Sequence, residues 1–124
     1  MLKDKTTFSS FAVDDVARAK QFYGETLGLE ADDQMGGLVL KLRSGNVFVY
    51  PKDDYTPATF TVLNFEVDDV DAAVDELTAA GVRFERYEGF EQDEKGIARM
   101  AEGPSIAWFT DPAGNVFSVV SEAR

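Results

Sequence analysis

The chain has 124 residues and a mass of 13.6 kDa, with 12 basic residues, 23 acidic residues and a formal net charge of −11. This charge disfavours nucleic acids and anionic membranes as partners, because their phosphates need Lys and Arg for neutralisation. The absence of Cys and His excludes disulfides, thiolate chemistry, imidazole acid–base catalysis and the metal sites that depend on imidazole ligands.

The N-terminal sequence, MLKDKTTFSS, lacks the apolar segment of a secretory signal. No later segment approaches the roughly 18 apolar residues of a membrane-spanning helix. We therefore expect a cytoplasmic protein of one domain, residues 1–124, that binds neither nucleic acid nor membrane.

An internal repeat organises the chain. The sequence FAVDDV starting at Phe11 recurs as FEVDDV at Phe65, and six of the nine positions from 11 to 19 are identical in the second copy. Each copy begins with a predicted strand, at residues 7–13 and 60–67, because aromatic and β-branched residues dominate both segments.

Each strand leads into a predicted helix. Asp15 and Asp69, each preceded by another aspartate, are suited to accept hydrogen bonds from the free N–H groups of a helix start. Apolar residues then recur at helical spacing over residues 16–27 and 70–77. These two stripes must lie against other parts of the chain.

Three strands are predicted to follow each helix. In the first half, alternation places two of them at residues 38–43 and 47–50. In the second half, they are predicted at residues 82–87, 105–110 and 116–121. The fold class is therefore α+β, with two βαβββ modules whose curved sheets are expected to form a cup around a cavity.

The predicted boundaries follow from composition. The first module spans about 6–51, a polar linker with two prolines spans 52–58, and the second module spans about 59–122. Residues 88–103 form a long acidic loop, and loops of this length in a compact domain are usually functional or mobile.

Three segments resemble the vicinal oxygen chelate superfamily, which includes glyoxalase I, extradiol dioxygenases and the fosfomycin and bleomycin resistance proteins. FAVDDVARAKQFYGETLGLE resembles the opening of one module, FEVDDVDAAVDELTAAGV that of a second, and WFTDPAGNVFSVVSE the end of the second. The resemblance covers residues 7–122. It implies the fold, but activities differ widely within the superfamily.

The resemblance also implies four metal-ligand positions, which the superfamily's enzymes fill with His, Gln or Glu. In this chain these positions hold Phe8, Tyr50, Val62 and Ser118. Hydrocarbon side chains and neutral hydroxyls are poor ligands for a divalent ion. We expect no metal site and no cofactor.

Strand alternation predicts which side chains face away from the helices and toward the cavity. Buried polar groups there need partners, which a ligand would supply. The predicted ligand-binding residues are Phe8, Ser10, Phe48, Tyr50, Val62, Asn64, Trp108 and Ser118.

The leading hypothesis is a homodimer that sequesters an aromatic or cationic small molecule without transforming it. An alternative is a lyase-, isomerase- or dioxygenase-like member without the usual metal, in which Glu66 is the base and Tyr50 the acid. A third is a structural or regulatory partner domain with a filled interior and no ligand. The sequence alone leaves all three open.

Overall fold

The computed structural model describes residues 1–101 and 103–121. The chain divides into two compact units, Met1–Pro57 and Ala58–Arg124. Within the described residues, each unit contains a four-stranded mixed sheet and one α-helix in βαβββ order, which confirms the α+β class. The predicted end of the second module at residue 122 lies outside this part of the chain. None of the described helices is long and apolar enough to cross a membrane.

The elements of the first unit are β1 (Ser9–Val13), α1 (Val16–Gln21), a π-helical turn (Phe22–Thr26), β2 (Glu30–Gln34), β3 (Gly37–Leu42) and β4 (Gly45–Pro51). The sheet order is β1-β4-β3-β2, with β1 parallel to β4 and the other pairs antiparallel. The predicted strands at 38–43 and 47–50 are present, and β2, which the sequence did not locate, forms an acidic edge.

The helical segment of this unit lies on one face of its sheet. The carboxylate of Asp15 caps α1 by accepting the N–H of Arg18 at 3.1 Å, as predicted. The segment ends as a π-helical turn, in which the N–H of Leu27 donates to the carbonyl of Phe22, five residues back. Tyr23 in this turn is fully buried, and its ring meets that of Phe11 edge-on at 6.4 Å.

The second unit has the sheet order β5-β8-β7-β6, with β5 parallel to β8. Its register is irregular between Thr61 and Leu63, where β5 has a bulge. The elements are β5 (Thr61–Glu66), α2 (Val70–Ala79), β6 (Ala98–Arg99), β7 (Ser105–Thr110) and β8 (Val116–Ser121).

The prediction of a strand at 82–87 is wrong. Of these residues, only Phe84 forms a bridge, with Phe109 of β7. The side chain of Gln92 bonds to both the carbonyl of Glu85 and the N–H of Tyr87, so these backbone groups have no need of a neighbouring strand. The first of the three strands after α2 is instead β6, inside the segment predicted to be a loop.

The face on which α2 packs follows from Arg99. Its register partner in β6–β7 is Ser105, so it shares a face with the odd-numbered residues of β7. Its guanidinium donates to the carboxylate of Asp71 in α2 at 2.9 Å. The helix therefore covers that face, and the even-numbered residues of β7 and β8 project from the other, which we call the helix-free face.

Candidate functional site

Three of the predicted binding residues form a row across the second sheet. Asn64 of β5 pairs in register with Ser118 of β8, and Ser118 pairs with Trp108 of β7. Residues paired in register project from the same face of a sheet. The row therefore lies on the helix-free face.

The members of this row differ in exposure. Ser118 is fully buried, and its hydroxyl donates to the side-chain oxygen of Asn64 at 2.5 Å. Asn64 is exposed, and within the described residues Ser118 is its only side-chain hydrogen-bond partner. The side-chain nitrogen of Asn64 is thus left to donate to solvent or to a ligand.

Trp108, at the far end of the row, is only 8% exposed. The ring of Tyr87 meets it edge-on at 5.5 Å, and the ring of Phe90 lies tilted at 4.8 Å. Burial, and secondarily the charge of Glu85, raises the pKa of the Tyr87 phenol. Trp108 also joins an apolar cluster that includes Ala98, Ile106 and Val116.

In the first unit, Phe11 of β1 contacts Tyr23 of the helical segment, so the neighbouring Ser10 projects from the opposite, helix-free face of this sheet, together with Phe48 and Tyr50. Ser10 pairs in register with Phe48, and the rings of Phe48 and Tyr50 stack at 6.2 Å with an interplanar angle of 18°. Both rings are half-buried. The Phe48 ring also lies against Gly37, where an added Cβ would approach it to 3.2 Å.

A polar group lies on the same face of the first sheet. Lys41 of β3 bonds to Asp32 at 3.0 Å and approaches Glu30 at 3.5 Å, both carboxylates belonging to β2. The hydrogen bond to Asp32, reinforced by the two negative charges, raises the pKa of the Lys41 ammonium. The charge of Lys41 is therefore balanced within its own sheet.

Three further candidates have less defined positions. Phe8 precedes β1 and is 70% exposed, and Val62 lies at the β5 bulge, where register no longer fixes its face. Glu66, the candidate base, is exposed and pairs in register with Val120, which places it on the helix-free face beside Asn64. Tyr50, its proposed acid partner, belongs to the other unit, and their cooperation stays a prediction.

The residues that cover Trp108 were not among the predicted site residues. Tyr87 and Phe90 lie in segments predicted to be a strand and a long acidic loop, and Gln92, between them and β6, had no predicted role. The available signal was compositional, since two aromatic residues stand within an otherwise acidic stretch.

A separate groove of about 430 Å³ lies beside α2. It is lined by both apolar residues, such as Val82 and Phe84, and charged ones, such as Arg83 and Glu94. None of the predicted binding residues lines it. The groove is therefore distinct from the row of Asn64, Ser118 and Trp108.

Comparison with known protein families shows which family this chain belongs to. The model of the Glyoxalase/Bleomycin resistance protein/Dioxygenase superfamily matches residues 6–119. The chain belongs to this superfamily. A search of curated proteins gave no match.

Solved structures of the superfamily share the fold. A putative glyoxalase family protein from Bacillus anthracis is 19% identical with a TM-score of 0.73, covering 98% of this chain and 99% of that one. A superfamily member from Sphaerobacter thermophilus is 27% identical with a TM-score of 0.69, covering 94% and 98%. A lactoylglutathione lyase from Agrobacterium tumefaciens is 20% identical with a TM-score of 0.69, covering 95% and 93%. A shared fold does not carry an activity with it.

At the four positions that the resemblance assigns to metal ligands, the residues do not fit a divalent ion. Phe8 and Val62 offer no donor atom, and the Ser118 hydroxyl is engaged with Asn64. Tyr50 offers only a phenol, which is a weak ligand while protonated. The donor set required for the superfamily's metal chemistry is not present at these positions.

Proposed function

We propose that the protein binds an aromatic or cationic small molecule without a metal ion and without transforming it. The observation that carries this proposal is the row of Asn64, Ser118 and Trp108 on the helix-free face of the second sheet. An aromatic surface beside a few oriented polar groups is typical of small-molecule sites.

The row supplies two kinds of interaction. Trp108, which Tyr87 and Phe90 cover in this structure, would supply an indole ring for stacking on an aromatic ring or a cation once a covering ring is displaced. Ser118 holds the oxygen of Asn64, so the amide nitrogen is oriented to donate to an acceptor on the ligand. Stacking would supply most of the affinity, and Asn64 would supply orientation.

The first unit offers a second aromatic surface in the stacked rings of Phe48 and Tyr50, with Ser10 beside them. The proposal assigns these residues to ligand binding, together with Phe8 and Val62. Substitution of Phe48 by Leu, which keeps an apolar side chain but removes the ring, tests their part in it.

Charge favours a cation as the ligand. The net charge of −11 attracts cations and repels anions at long range. Glu66 places a carboxylate two residues from Asn64 on the same face of β5. In the binding proposal this carboxylate attracts the ligand and takes no proton from it.

The first test is a native mass spectrum of untagged protein purified without chelator. We propose a cytoplasmic homodimer, the commonest oligomer, and expect the mass of two chains without metal. A co-purified small molecule would identify the ligand class directly. A stoichiometric divalent ion would overturn the metal-free proposal.

The second test compares melting temperatures and calorimetric affinities across a set of aromatic cations. A ligand at about 100 times its Kd stabilises the folded state by about 2.7 kcal/mol. We expect Asn64→Ala and Trp108→Phe to weaken binding, and Gln34→Ala, an exposed position on β2, to leave it unchanged. Turnover of a bound compound that Glu66→Gln abolishes would overturn the proposal in favour of an enzyme.

A further inference from the structure

Residues 85–92, which we call the covering segment, place two aromatic rings on Trp108. The centroid of the Phe90 ring lies 4.8 Å from that of the indole, and the centroid of the Tyr87 ring lies 5.5 Å from it. Trp108 is 8% exposed, whereas Phe90 is 46% exposed. Phe90 therefore occupies the solvent side of the contact, and Trp108 lies beneath it.

The base of the covering segment is firmly held. The side chain of Gln92 accepts the N–H of Tyr87 at 2.8 Å and donates to the carbonyls of Glu85 and Gly96 at 2.9 and 2.7 Å. The guanidinium of Arg86 donates to two further backbone carbonyls of the same loop at 2.7 and 3.0 Å. These bonds fix Tyr87 but do not involve the side chain of Phe90.

The tip of the segment, residues 88–90, is held more weakly. All three residues are exposed, and Gly89 has a φ of 93°. The hydrogen bond that closes the tip, from the N–H of Phe90 to the carbonyl of Tyr87, is long at 3.4 Å. Phe90 can therefore leave Trp108 without breaking the bonds that Gln92 and Arg86 make.

We propose that Phe90 is a displaceable cover on Trp108, and that a planar aromatic cation binds by replacing the Phe90 ring on the indole. This inference rests on the proposed function and specifies its ligand. The contact already shows that an aromatic ring fits against the indole. Glu88 in the tip and Glu91 directly after it carry negative charges, which attract a cation and repel an anion.

The cover itself is tested without any ligand. Trp108 is the only tryptophan of the chain, so its fluorescence reports on this position alone. In Phe90→Ala we expect the acrylamide quenching constant of Trp108 to rise about twofold, because the lost contact exposes indole surface. Phe60→Ala, which removes a 68% exposed ring elsewhere in the same unit, should leave quenching unchanged. Equal quenching in Phe90→Ala and the unsubstituted protein would overturn the inference.

The ligand is tested by calorimetry with 1-methylquinolinium chloride and, as an anion of similar size, sodium 2-naphthoate. If Phe90 must leave Trp108 before the cation binds, only the molecules in which it has left are able to bind, and the apparent affinity is lower by that fraction. Phe90→Ala removes this requirement and should bind the cation about three- to tenfold more tightly. The anion should bind more weakly to both proteins. Equal or weaker binding of the cation by Phe90→Ala would overturn the inference.

The two proposals fail in different ways. If the cation binds and Trp108→Phe weakens it, but Phe90→Ala changes neither quenching nor affinity, the binding proposal stands and the cover does not exist. If Phe90→Ala raises quenching but neither protein binds the cation, Phe90 is a cover but the inferred ligand class is wrong. Binding that Trp108→Phe leaves unchanged would contradict the proposed site itself.

Discussion

The hydroxyl of Ser118 donates to the side-chain oxygen of Asn64 on the adjacent strand at 2.5 Å, and only the donor is shielded from water. Removing the Ser118 hydroxyl and removing the Asn64 side chain should therefore lower the free energy of unfolding by different amounts. Solvent can replace Ser118 as the partner of Asn64. It cannot reach Ser118 in the same way, because that residue is fully buried.

Asn64→Ala should therefore destabilise the protein more than Ser118→Ala. An unsatisfied buried hydroxyl costs about 1–3 kcal/mol, whereas loss of a hydrogen bond to a solvated group costs about 1 kcal/mol or less. Urea unfolding of both single variants and the double variant measures the difference and the coupling between the two residues. Equal costs, or a larger cost for Ser118→Ala, would contradict this asymmetry.

Gly37→Ala should destabilise the first unit. A Cβ at this position would lie within van der Waals distance of the Phe48 ring and would collide with the backbone oxygen of Val49. Backbone cannot move aside as a side chain can, and overpacking of this kind costs about 1–3 kcal/mol. Gly24→Ala is the matched control, because its Cβ would meet nothing closer than 4.0 Å. Urea unfolding should give a lower midpoint for Gly37→Ala than for Gly24→Ala, and equal midpoints would contradict the steric argument.

Asp69→Ala should destabilise α2 through the loss of its cap. The Asp69 carboxylate accepts the N–H of Ala72 at 3.1 Å, and removal of such a cap costs about 1 kcal/mol. Asp68→Ala removes the same charge one residue earlier without removing the cap. Thermal melts followed by circular dichroism should show a clear fall in melting temperature for the first variant and little change for the second. A comparable fall in both would attribute the effect to charge.

The stability of the second unit should fall at acid pH through Asp71 and Asp93. The hydrogen bond from Arg99 lowers the pKa of Asp71. Burial alone would raise the pKa of Asp93, but hydrogen bonds from the backbone of Ile97 and from Arg99 outweigh it and lower the pKa. Carboxyls with a depressed folded-state pKa stabilise fully above about pH 4, their ordinary value, and lose this contribution as the pH falls through the folded value.

Arg99→Met should reduce this acid sensitivity, because it removes the cation that both carboxylates share. The effect should stay below about 1 kcal/mol, since these side chains are partly exposed. Free energies of unfolding in urea at about pH 6 and about pH 3 measure it, with Arg43→Met, in the turn before β4, as the control. The same decline with pH in Arg99→Met and in the unsubstituted protein would refute the assignment.

Local sequence was sufficient to predict the repeated parts of the fold. Asp15 and Asp69 cap their helices with nearly identical backbone angles, φ of −138° and −139° with ψ of 105° in both. Capping depends on a side chain and an N–H three residues apart, so the sequence carries all the information. Alternation likewise placed Ser10 and Phe48 on one face, and Asn64 and Ser118 on another.

Prediction failed at two segments whose backbone departs from the pattern of their own residues. Residues 82–87 have the composition of a strand, but Gln92, from outside the segment, bonds to the carbonyl of Glu85 and the N–H of Tyr87. The bulge in β5 similarly removed Val62 from the alternating pattern. In neither case do the residues of the segment itself show that its backbone will depart from a regular strand.

The sequence by itself determined the α+β class, the two βαβββ modules and the helix caps, because these depend on composition, spacing and side-chain chemistry. Only the tertiary structure decided that Ser118 is buried with Asn64 as its acceptor, and that Phe90 and Tyr87 cover Trp108. Burial and pairing between residues far apart in the chain arise when strands take their register and a loop folds back over the sheet. Those events depend on many weak contacts acting together, and no local pattern encodes them.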